Sequence, residues 1–435
     1  MLENLFNLKD NNTTVRREFL AGLTTFMTMA YIIFVNPSIL GATGMDPGAV
    51  MVATILATTI ATVVMGLYAN YPFALAPGMG LNAYFAFTVV GQMGLSWQVA
   101  LGAVFISGLI FIVLTLTRFR QLIINEAIPV ALKASVGAGI GLFIALIGVK
   151  NAGLVVPLEP TLVALGDVLS ARTVVSIVGL LVIAALMARK INGAILWGIL
   201  ATAGLGMVSG VVKIPTAVVS LPPSLAPTFL ALDIPGALSL GALSVIFAFL
   251  FVDFFDTAGT LVGVASHANF LNDKGELPRA ERALMADAIG TTAGSMLGTS
   301  TVTTYIESAT GVALGGRTGL TALVTGGLFL VALFFSPIVT IIAAEPAITA
   351  PALIIVGSLM LRGIVSVEWG DPSESIPAFL TAVMMPFTFS IANGIAVGFV
   401  SYAAIKLLAG RGKEVHWLTY VLAGLFVLRF IYLQG

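Results

Sequence analysis

Acidic side chains are rare in this chain, and two of them lie close together in apolar surroundings. Asp253 and Asp256 belong to the run Phe-Leu-Phe-Val-Asp-Phe-Phe-Asp-Thr at 249–257. Residues three positions apart share one face of a helix, and like charges in an apolar wall repel each other and are poorly solvated. Such a pair suits groups that take up and release a proton. The alternative is a polar stripe that hydrogen-bonds to a neighbouring helix.

A third carboxylate, Glu307, lies in the run Gly-Thr-Ser-Thr-Val-Thr-Thr-Tyr-Ile-Glu-Ser-Ala-Thr-Gly at 298–311. Glycines bracket this run and β-branched and hydroxyl residues crowd its first half, which is not typical of a membrane-spanning helix. Lipid does not tolerate unsatisfied backbone, so an interrupted helix must be buried in protein or line a wet cavity. An acid at that depth usually marks a substrate or ion pathway. Alternatively, Glu307 faces water at a helix end that Ser and Thr cap.

The run Ala-Pro-Gly-Met-Gly-Leu-Asn-Ala-Tyr-Phe at 76–85 is the third candidate. Asn82 offers a hydrogen-bond donor and an acceptor, and glycines such as Gly80 let a ligand approach the backbone. Helix starts from both runs would direct free N–H groups at a ligand near the middle of a bilayer. Carboxylates, an amide and aromatic walls suit a flat, neutral heterocycle with ring N–H donors. The set contains no Lys or Arg, which argues against an anionic ligand.

Composition indicates the class of protein that holds these residues. Of 435 residues, 58% are hydrophobic and 9% are charged, against about 25% charged in soluble domains. A polytopic membrane protein follows, and the balance of 20 basic against 20 acidic residues gives no sign of a nucleic-acid partner. The absence of cysteine excludes disulfides, and the two histidines, His267 and His416, lie in polar connections. The glycine runs lack the setting of a phosphate loop, so we expect no metal centre and no organic cofactor.

Windows of about 20 apolar residues predict fourteen membrane-spanning segments, called spans 1 to 14. In order they fall near 18–40, 48–69, 74–91, 97–117, 128–149, 172–188, 193–212, 237–265, 284–298, 300–314, 318–344, 349–364, 375–391 and 393–409. A last apolar run, 417–433, is either a further span or a helix at the membrane interface. Lys and Arg gather in the loops of one side, which predicts a cytoplasmic N-terminus in the cytoplasmic membrane.

The Pro-rich connection 212–236 divides these spans into seven plus seven. An odd number in each half places the halves in opposite orientations, which is the inverted-repeat plan of secondary transporters. Spans 3 and 10 hold matching places in the two halves, and both are interrupted, which is the best sequence indicator of a binding site. We therefore predict an all-α protein of two inverted repeats, 1–212 and 236–410, with 411–435 as an extra C-terminal apolar segment.

At these residues the sequence resembles the azaguanine-sensitive type of purine permease, in the nucleobase–cation symporter 2 group (xanthine/uracil permeases). The resemblance covers nearly the whole chain and rests on 26–37, 76–85, 253–261, 298–311, 315–320 and 385–394. It implies a 7+7 fold with a core domain of spans 1–4 and 8–11 and a gate domain of spans 5–7 and 12–14. Short strand-like parts of spans 3 and 10 would cross near the substrate. It also implies transport of adenine, guanine and hypoxanthine with protons.

The resemblance suggests roles for single residues. By position, Asp256 and Glu307 match the acids of spans 8 and 10 in related uracil permeases, whereas Asp253 and Asn82 match polar positions of the purine branch. Uracil carriers have a histidine where Thr260 stands, which argues against a pyrimidine substrate. We expect Asp256 and Glu307 to hold purine ring N–H groups, Asn82 to orient the ring, and Asp253 to couple transport to protons, with Glu307 contributing. The other predicted binding residues are Gly80, Leu81, Phe255, Thr260 and Ser308.

The predicted function is import of purine nucleobases by proton-driven alternating access, without enzymatic activity. An anion exchanger on the same scaffold is one alternative, but it predicts a basic residue where spans 3 and 10 meet. A passive facilitator is another, and it predicts no dependence on a proton gradient. An intramembrane aspartyl protease would pair its acids across two helices. The expected partners are purine nucleobases, lipid and H⁺ as the coupling ion, and a homodimer would form through the gate domain.

Overall fold

The computed structural model of the chain describes residues 2–117, 129–268, 270–272 and 277–432. Among these residues, nine helices are long and apolar enough to cross a membrane, and they correspond to spans 1, 2, 4, 5, 6, 8, 11, 12 and 14. The other five predicted spans are also found, as shorter, interrupted or less apolar helices. The prediction of fourteen spans is therefore confirmed within the described part of the chain.

The first half begins with a short helix, Leu2–Phe6, and ends before a long irregular connection. Its elements are Val15–Met29 and Ile32–Gly41 (span 1), Pro47–Val64 with a π-helical turn Met65–Ala69 (span 2), strand β1 Leu75–Pro77 with Met79–Ala83 and the π-helical Tyr84–Gln92 (span 3), Trp97–Leu116 (span 4), Val130–Asn151 (span 5), Ala171–Ala188 (span 6) and Ala194–Val208 (span 7). A hairpin of β2 Val155–Leu158 and β3 Leu162–Leu165 joins spans 5 and 6.

The second half follows a short helix, Ile234–Ala237, with the same order of elements. They are Leu240–His267 (span 8), Ala280–Leu297 (span 9), strand β4 Val302–Thr304 with helix Ser308–Ala313 (span 10), Gly319–Ala332, Leu333–Phe335 and Ser336–Ala343 (span 11), Pro346–Met360 with Leu361–Ser366 (span 12), Pro372–Phe387 (span 13) and Ile391–Leu408 (span 14). The short turn Gly412–Glu414 and helix Trp417–Tyr432 close the chain.

Strands β1 and β4 come from matching places in the two halves and pair with each other. The pairing is antiparallel, with Leu75 opposite Thr304 and Pro77 opposite Val302. Pro77 cannot continue a helix, and the β-branched residues of 302–304 favour an extended backbone. Both strands are fully buried. The predicted strand-like breaks in spans 3 and 10 are therefore confirmed, and each is followed by a short helix.

Glycine brings several helices into close contact. A Cβ atom on Gly141 of span 5 would lie 2.6 Å from the carbonyl oxygen of Gly357 in span 12. Span 5 also packs along span 13, which packs along span 14. Small residues permit this close approach of membrane helices. These contacts join spans that the resemblance assigns to one gate domain.

Two local features depart from the sequence-based expectation. Span 1 is not continuous, because Ala30 and Tyr31 form a turn between its two helices. Span 7 ends at Val208 rather than 212, since Gly210 adopts a positive φ of 75°, a conformation that commonly ends a helix.

A buried carboxylate holds the start of span 11. Glu18 of span 1 is fully buried and accepts the backbone N–H groups of Arg317, Thr318 and Thr321 at 2.9, 3.3 and 3.2 Å. It also accepts the Thr321 hydroxyl at 2.6 Å. The first N–H groups of a helix have no acceptor within the helix. The carboxylate of Glu18, in span 1, is the acceptor for these groups of span 11.

The C-terminal helix Trp417–Tyr432 packs against spans 8 and 14 of the second half. The buried ring of Phe426 lies 5.7 Å from Phe399 of span 14, and 5.5 and 5.7 Å from Phe247 and Phe251 of span 8. Arg429 donates a hydrogen bond of 3.3 Å to the Asn393 side chain of span 14. This run of residues therefore forms a helix that packs onto the fourteen spans.

Candidate functional site

The pairing of β1 with β4 brings the three candidate runs together. Beyond the paired residues, Gly78 N–H donates to Thr301 at 3.0 Å, and Tyr305 N–H donates to Ala74 at 2.9 Å. The helices Met79–Ala83 and Ser308–Ala313 start directly after the two strands. Two interrupted spans thus meet inside the protein, and span 8, which carries Asp253 and Asp256, contacts β4 and both short helices.

Glu307 lies just before helix Ser308–Ala313 and does not cap it with its side chain. Its Oε1 atom accepts the hydroxyl of Tyr31 at 2.5 Å. Tyr31 is fully buried in the break of span 1, whereas Glu307 is half-buried. The carboxylate is therefore held by a side chain of the other half of the molecule, and the alternative of a water-facing helix cap does not describe it.

Asp256 lies against the crossing strands. A Cβ atom on Gly78 would be 3.3 Å from Asp256 Oδ2, so the missing side chain of Gly78 leaves room for this carboxylate. Asp256 and Glu307 both act electrostatically on Tyr305, and the Tyr305 hydroxyl donates to the Pro77 carbonyl at 2.6 Å. The acids of spans 8 and 10 therefore converge beside Tyr305 at the crossing.

Asp253 faces a different group of residues. Thr257 Oγ1 lies 3.4 Å from Asp253 Oδ1, 2.9 Å from Asp287 Oδ1 and 3.1 Å from the Thr303 hydroxyl. All four residues are buried. Asp253 thus contacts the hydroxyl that also reaches Asp287, whereas Asp256 has both Asp287 and Glu307 as charged neighbours. Asp287 lies in the middle of helix Ala280–Leu297.

Asn82 is the polar residue of span 3 in the site. It is fully buried, and neither atom of its side-chain amide forms a hydrogen bond with any residue that the structure describes. Burial of an unsatisfied amide is costly, and such groups are uncommon in native proteins. An amide in this state is available to a ligand that offers one donor and one acceptor.

Gly80 and Leu81 lie beside Asn82 and face protein. Leu81 is fully buried. A Cβ atom on Gly80 would lie 2.5 Å from Ile140 Cγ2 of span 5 and 3.6 Å from Ile391 Cδ1 of span 14. Gly80 is therefore a point of close approach between span 3 and the spans assigned to the gate.

The remaining predicted binding residues have partners within the fold. Ser308 Oγ accepts the Ala74 N–H at 2.9 Å, and Thr260 donates to the Asp256 backbone carbonyl at 2.7 Å. The ring of Phe255 lies 6.4, 6.2 and 5.7 Å from the rings of Phe251, Phe254 and Phe399. Ser308 and Thr260 thus support the local backbone, and Phe255 belongs to an aromatic cluster between spans 8 and 14.

Three residues of the site were not selected from the sequence as binding or coupling residues. These residues are Tyr31, Tyr305 and Thr257. Tyr305 lies two positions before Glu307, and Thr257 directly follows Asp256, so closeness along the chain was the signal available for both. Nothing near Tyr31 in sequence indicates its bond to Glu307, since 276 positions separate the two.

The polar groups at the crossing are carboxylates, an amide and hydroxyls. Within the described part of the chain, neither Asp256 nor Glu307 forms an ion pair with Lys or Arg, and the charged neighbours of Asp256 are the acids Asp287 and Glu307. The described residues also contain no group of three or more His, Cys, Asp or Glu side chains that could hold a metal ion. The arrangement offers hydrogen-bond acceptors to a neutral ligand that carries N–H donors.

Comparison with known proteins finds that the chain is similar to permeases. The sequence profile named Permease family matches residues 16–397. A putative permease of Methanocaldococcus jannaschii is 57% identical over 434 residues, covering 100% of this chain and 99% of the relative. The guanine/hypoxanthine permease PbuG of Bacillus subtilis is 48% identical, with 100% of both chains covered. The adenine permease AdeQ of Escherichia coli is 47% identical, covering 99% of this chain and 96% of the relative.

Solved structures with a similar fold are more distant in sequence. The transmembrane domain of the cyanobacterial bicarbonate transporter BicA matches with a TM-score of 0.64 at 14% identity, covering 89% of this chain and 97% of that one. The murine anion transporter Slc26a9 in its inward-facing state matches with a TM-score of 0.63 at 10% identity, covering 90% of this chain and 68% of that one. At such identities the likeness concerns the fold, which is the 7+7 arrangement.

Proposed function

The chain belongs to the Permease family, and from this premise we propose that it imports purine nucleobases together with protons by alternating access. Relatives that match it over nearly their full length are named for guanine, hypoxanthine and adenine transport. The observation that carries the proposal is that Asp256 and Glu307 lie beside Tyr305 where two interrupted spans cross, while the short helix after β1 carries the unsatisfied amide of Asn82. A purine ring offers N–H donors to carboxylates and both a donor and an acceptor to an amide.

In this proposal each residue has one task. Asp256 and Glu307 accept ring N–H groups, and Asn82 orients the ring by donating to an acceptor and accepting from a donor. Gly80 and Leu81 bring the backbone of span 3 close to the ring, and Phe255 supplies aromatic surface. Ser308 and Thr260 contribute by holding the backbone beside Glu307 and Asp256.

Proton coupling is assigned to Asp253, with Glu307 contributing. Asp253 is buried and shares the hydroxyl of Thr257 with Asp287. Two carboxylates that approach the same hydroxyl repel each other when both are charged, so a proton on one of them would relieve the repulsion. One charge that crosses 100 mV gains about 2.3 kcal/mol, which supports roughly fortyfold accumulation at 1.4 kcal/mol per factor of ten.

Alternating access requires two bodies that move. We assign spans 1–4 and 8–11 to a core that carries the site and spans 5–7 and 12–14 to a gate, within the repeats 1–212 and 236–410. The contacts of Gly80 with Ile140 and of Phe255 with Phe399 lie between these bodies and would change during transport. The basic loops place the N-terminus in the cytoplasm, and a homodimer, if one forms, would use the gate.

Competition of labelled hypoxanthine uptake by a panel of nucleobases, with and without a protonophore, tests the proposal. Purines should compete, uracil should not, and the protonophore should abolish accumulation. Glu307→Gln should abolish purine binding, because it replaces a carboxylate acceptor with a neutral amide. The matched control is Glu159→Gln in the exposed β2–β3 turn, which should leave binding unchanged.

Other outcomes would favour the rival functions. Uptake that ignores the protonophore and stops at equilibrium would indicate a passive facilitator. Competition by bicarbonate or sulfate, with no competition by purines, would indicate an anion exchanger. Full binding of purines by Glu307→Gln would remove the assigned role of Glu307 without deciding the substrate.

A further inference from the structure

Span 1 contacts the site through one short segment. A row of small and hydroxyl residues on span 1 packs along helix Ser308–Ala313: a Cβ atom on Gly311 would lie 2.1 Å from Thr25 Oγ1, and the hydroxyls of Thr28 and Thr310 are 3.1 Å apart. The row continues to Tyr31, whose hydroxyl donates to Glu307 Oε1 at 2.5 Å. Tyr31 is the member of this row that contacts an ionisable group of the site.

The bond leaves the two oxygens of Glu307 in different situations. Oε1 accepts the hydroxyl of Tyr31, which is the side chain that donates to the Glu307 carboxylate within the described residues. Glu307 is half-buried while Tyr31 is fully buried. The Tyr31 hydroxyl therefore holds the carboxylate at Oε1, and Oε2 is the oxygen that does not bond to Tyr31.

We propose that Tyr31 is a positioning residue for the nucleobase, which holds Glu307 Oε1 so that Oε2 points to the substrate. This inference rests on the proposed function. A tyrosine hydroxyl can donate to a carboxylate and accept from a carboxylic acid, so the bond persists when Glu307 gains or loses a proton. The side chain thus keeps one orientation through the transport cycle, and the substrate meets the same oxygen each time.

A purely structural role for Tyr31 makes a different prediction. In that case the hydroxyl would join spans 1 and 10 as the Thr28–Thr310 contact does, and its removal would lower the amount of folded protein without changing substrate affinity. A positioning role changes substrate affinity. Without the Tyr31 hydrogen bond, the Glu307 side chain must be ordered each time that substrate binds. KM separates the two cases, since it does not depend on how much folded protein is present.

Tyr31→Phe tests the inference, since it removes the hydroxyl and keeps the ring. A hydrogen bond to a charged group contributes about 1.5–3 kcal/mol, so KM for hypoxanthine should rise by about tenfold or more. The maximal rate per folded transporter should stay within about twofold, because the interaction is lost equally from the ground state and the transition state. Equilibrium binding to purified protein should weaken by the same factor as KM.

Two control variants make the result specific. Thr28→Val removes the neighbouring hydroxyl contact of span 1 and should leave KM unchanged. Tyr402→Phe removes another tyrosine hydroxyl that donates to a glutamate, Glu374, at 3.1 Å, and it too should leave KM unchanged. A KM for Tyr31→Phe equal to that of Thr28→Val would overturn the inference. Absence of purine uptake by the unchanged protein would instead overturn the proposed function.

Discussion

At the residue scale, the buried acids of this protein differ in the donors that surround them. Glu18 accepts three backbone N–H groups and a hydroxyl, so its role is to complete the start of span 11. Glu307 accepts one tyrosine hydroxyl. Asp253 and Asp287 share the hydroxyl of Thr257. Backbone N–H groups of a helix start hold Glu18, whereas side-chain hydroxyls contact the acids of the site, so burial alone does not distinguish the two classes.

Asp253→Asn follows from the assignment of Asp253 to proton coupling. The amide has nearly the shape of the carboxylic acid but cannot exchange a proton, so purine binding should remain measurable while uptake loses its dependence on pH. The measurement is the initial rate of uptake as a function of pH, between about pH 5 and pH 8. Asp371→Asn, in the loop before span 13, is the control. A pH profile for Asp253→Asn equal to that of the unchanged protein would remove the assignment.

At the element scale, the crossing of β1 and β4 positions the site. Two strands of three residues each cannot be stable alone, and they persist because spans 2, 8 and 9 enclose them. Thr62 and Thr291 bind their backbone from the side: the Leu75 N–H donates to Thr62 at 3.0 Å and the Val302 N–H to Thr291 at 3.0 Å. Hydroxyls from neighbouring spans thus satisfy the outer edges of the pair.

Gly78→Ala tests how tightly the crossing is packed. The new methyl group would lie 2.9 Å from Thr303 Cγ2 and 3.3 Å from Asp256 Oδ2, so the strands or the carboxylate must move. Overpacking costs about 1–3 kcal/mol, and we expect purine binding to weaken by about tenfold to a hundredfold if this cost falls on the site. The measurement is equilibrium binding to purified protein.

Gly137→Ala is the matched control for the same change of residue type. A Cβ atom on Gly137 meets no atom within 4 Å, and alanine in a helix interior is favoured over glycine by about 0.5–1 kcal/mol. Binding should therefore be unchanged and stability equal or slightly higher. Equal purine binding by the Gly78 and Gly137 variants would show that the crossing accommodates an added methyl group.

At the scale of the whole molecule, the C-terminal helix joins parts that the proposed function requires to move. A network of ion pairs holds the chain just before this helix. Lys406 pairs with Glu374 at 2.7 Å and with Glu414 at 3.1 Å, and Arg411 pairs with Asp371. These residues belong to spans 13 and 14 and the loops around them. Phe426 at the other end reaches span 8. The helix is therefore anchored on the gate and contacts the core.

Phe426→Ala should destabilise the protein, because it removes a buried ring from the contact between these two bodies. Truncation of a buried phenylalanine costs about 3–5 kcal/mol, so the thermal unfolding midpoint of the purified protein should fall clearly. Leu428→Ala on the same helix is the control, since Leu428 is 50% exposed and such changes usually stay within about 0.5 kcal/mol. Equal midpoints for the two variants would show that the helix contributes little to the fold.

The amino-acid sequence by itself determined the spans, the seven-plus-seven division, the two interrupted segments and the acids Asp253, Asp256 and Glu307. These features are local. The conformation favoured by a window of about 20 apolar residues, by a proline or by a β-branched run does not depend on residues elsewhere in the chain. The matching position of the two interruptions is also visible in the sequence, because the repeat is defined by the order of the spans along the chain.

Only the tertiary structure decided which partners these residues meet. Tyr31 with Glu307, Thr257 with Asp287 and Glu18 with Thr321 are separated by 276, 30 and 303 positions. No local pattern specifies such pairs, because they depend on how separate helices pack in the folded chain. The same is true of Asp253 and Asp256. Three positions of spacing place them on one helix face, and packing against span 9 and the crossing strands decides which groups they meet.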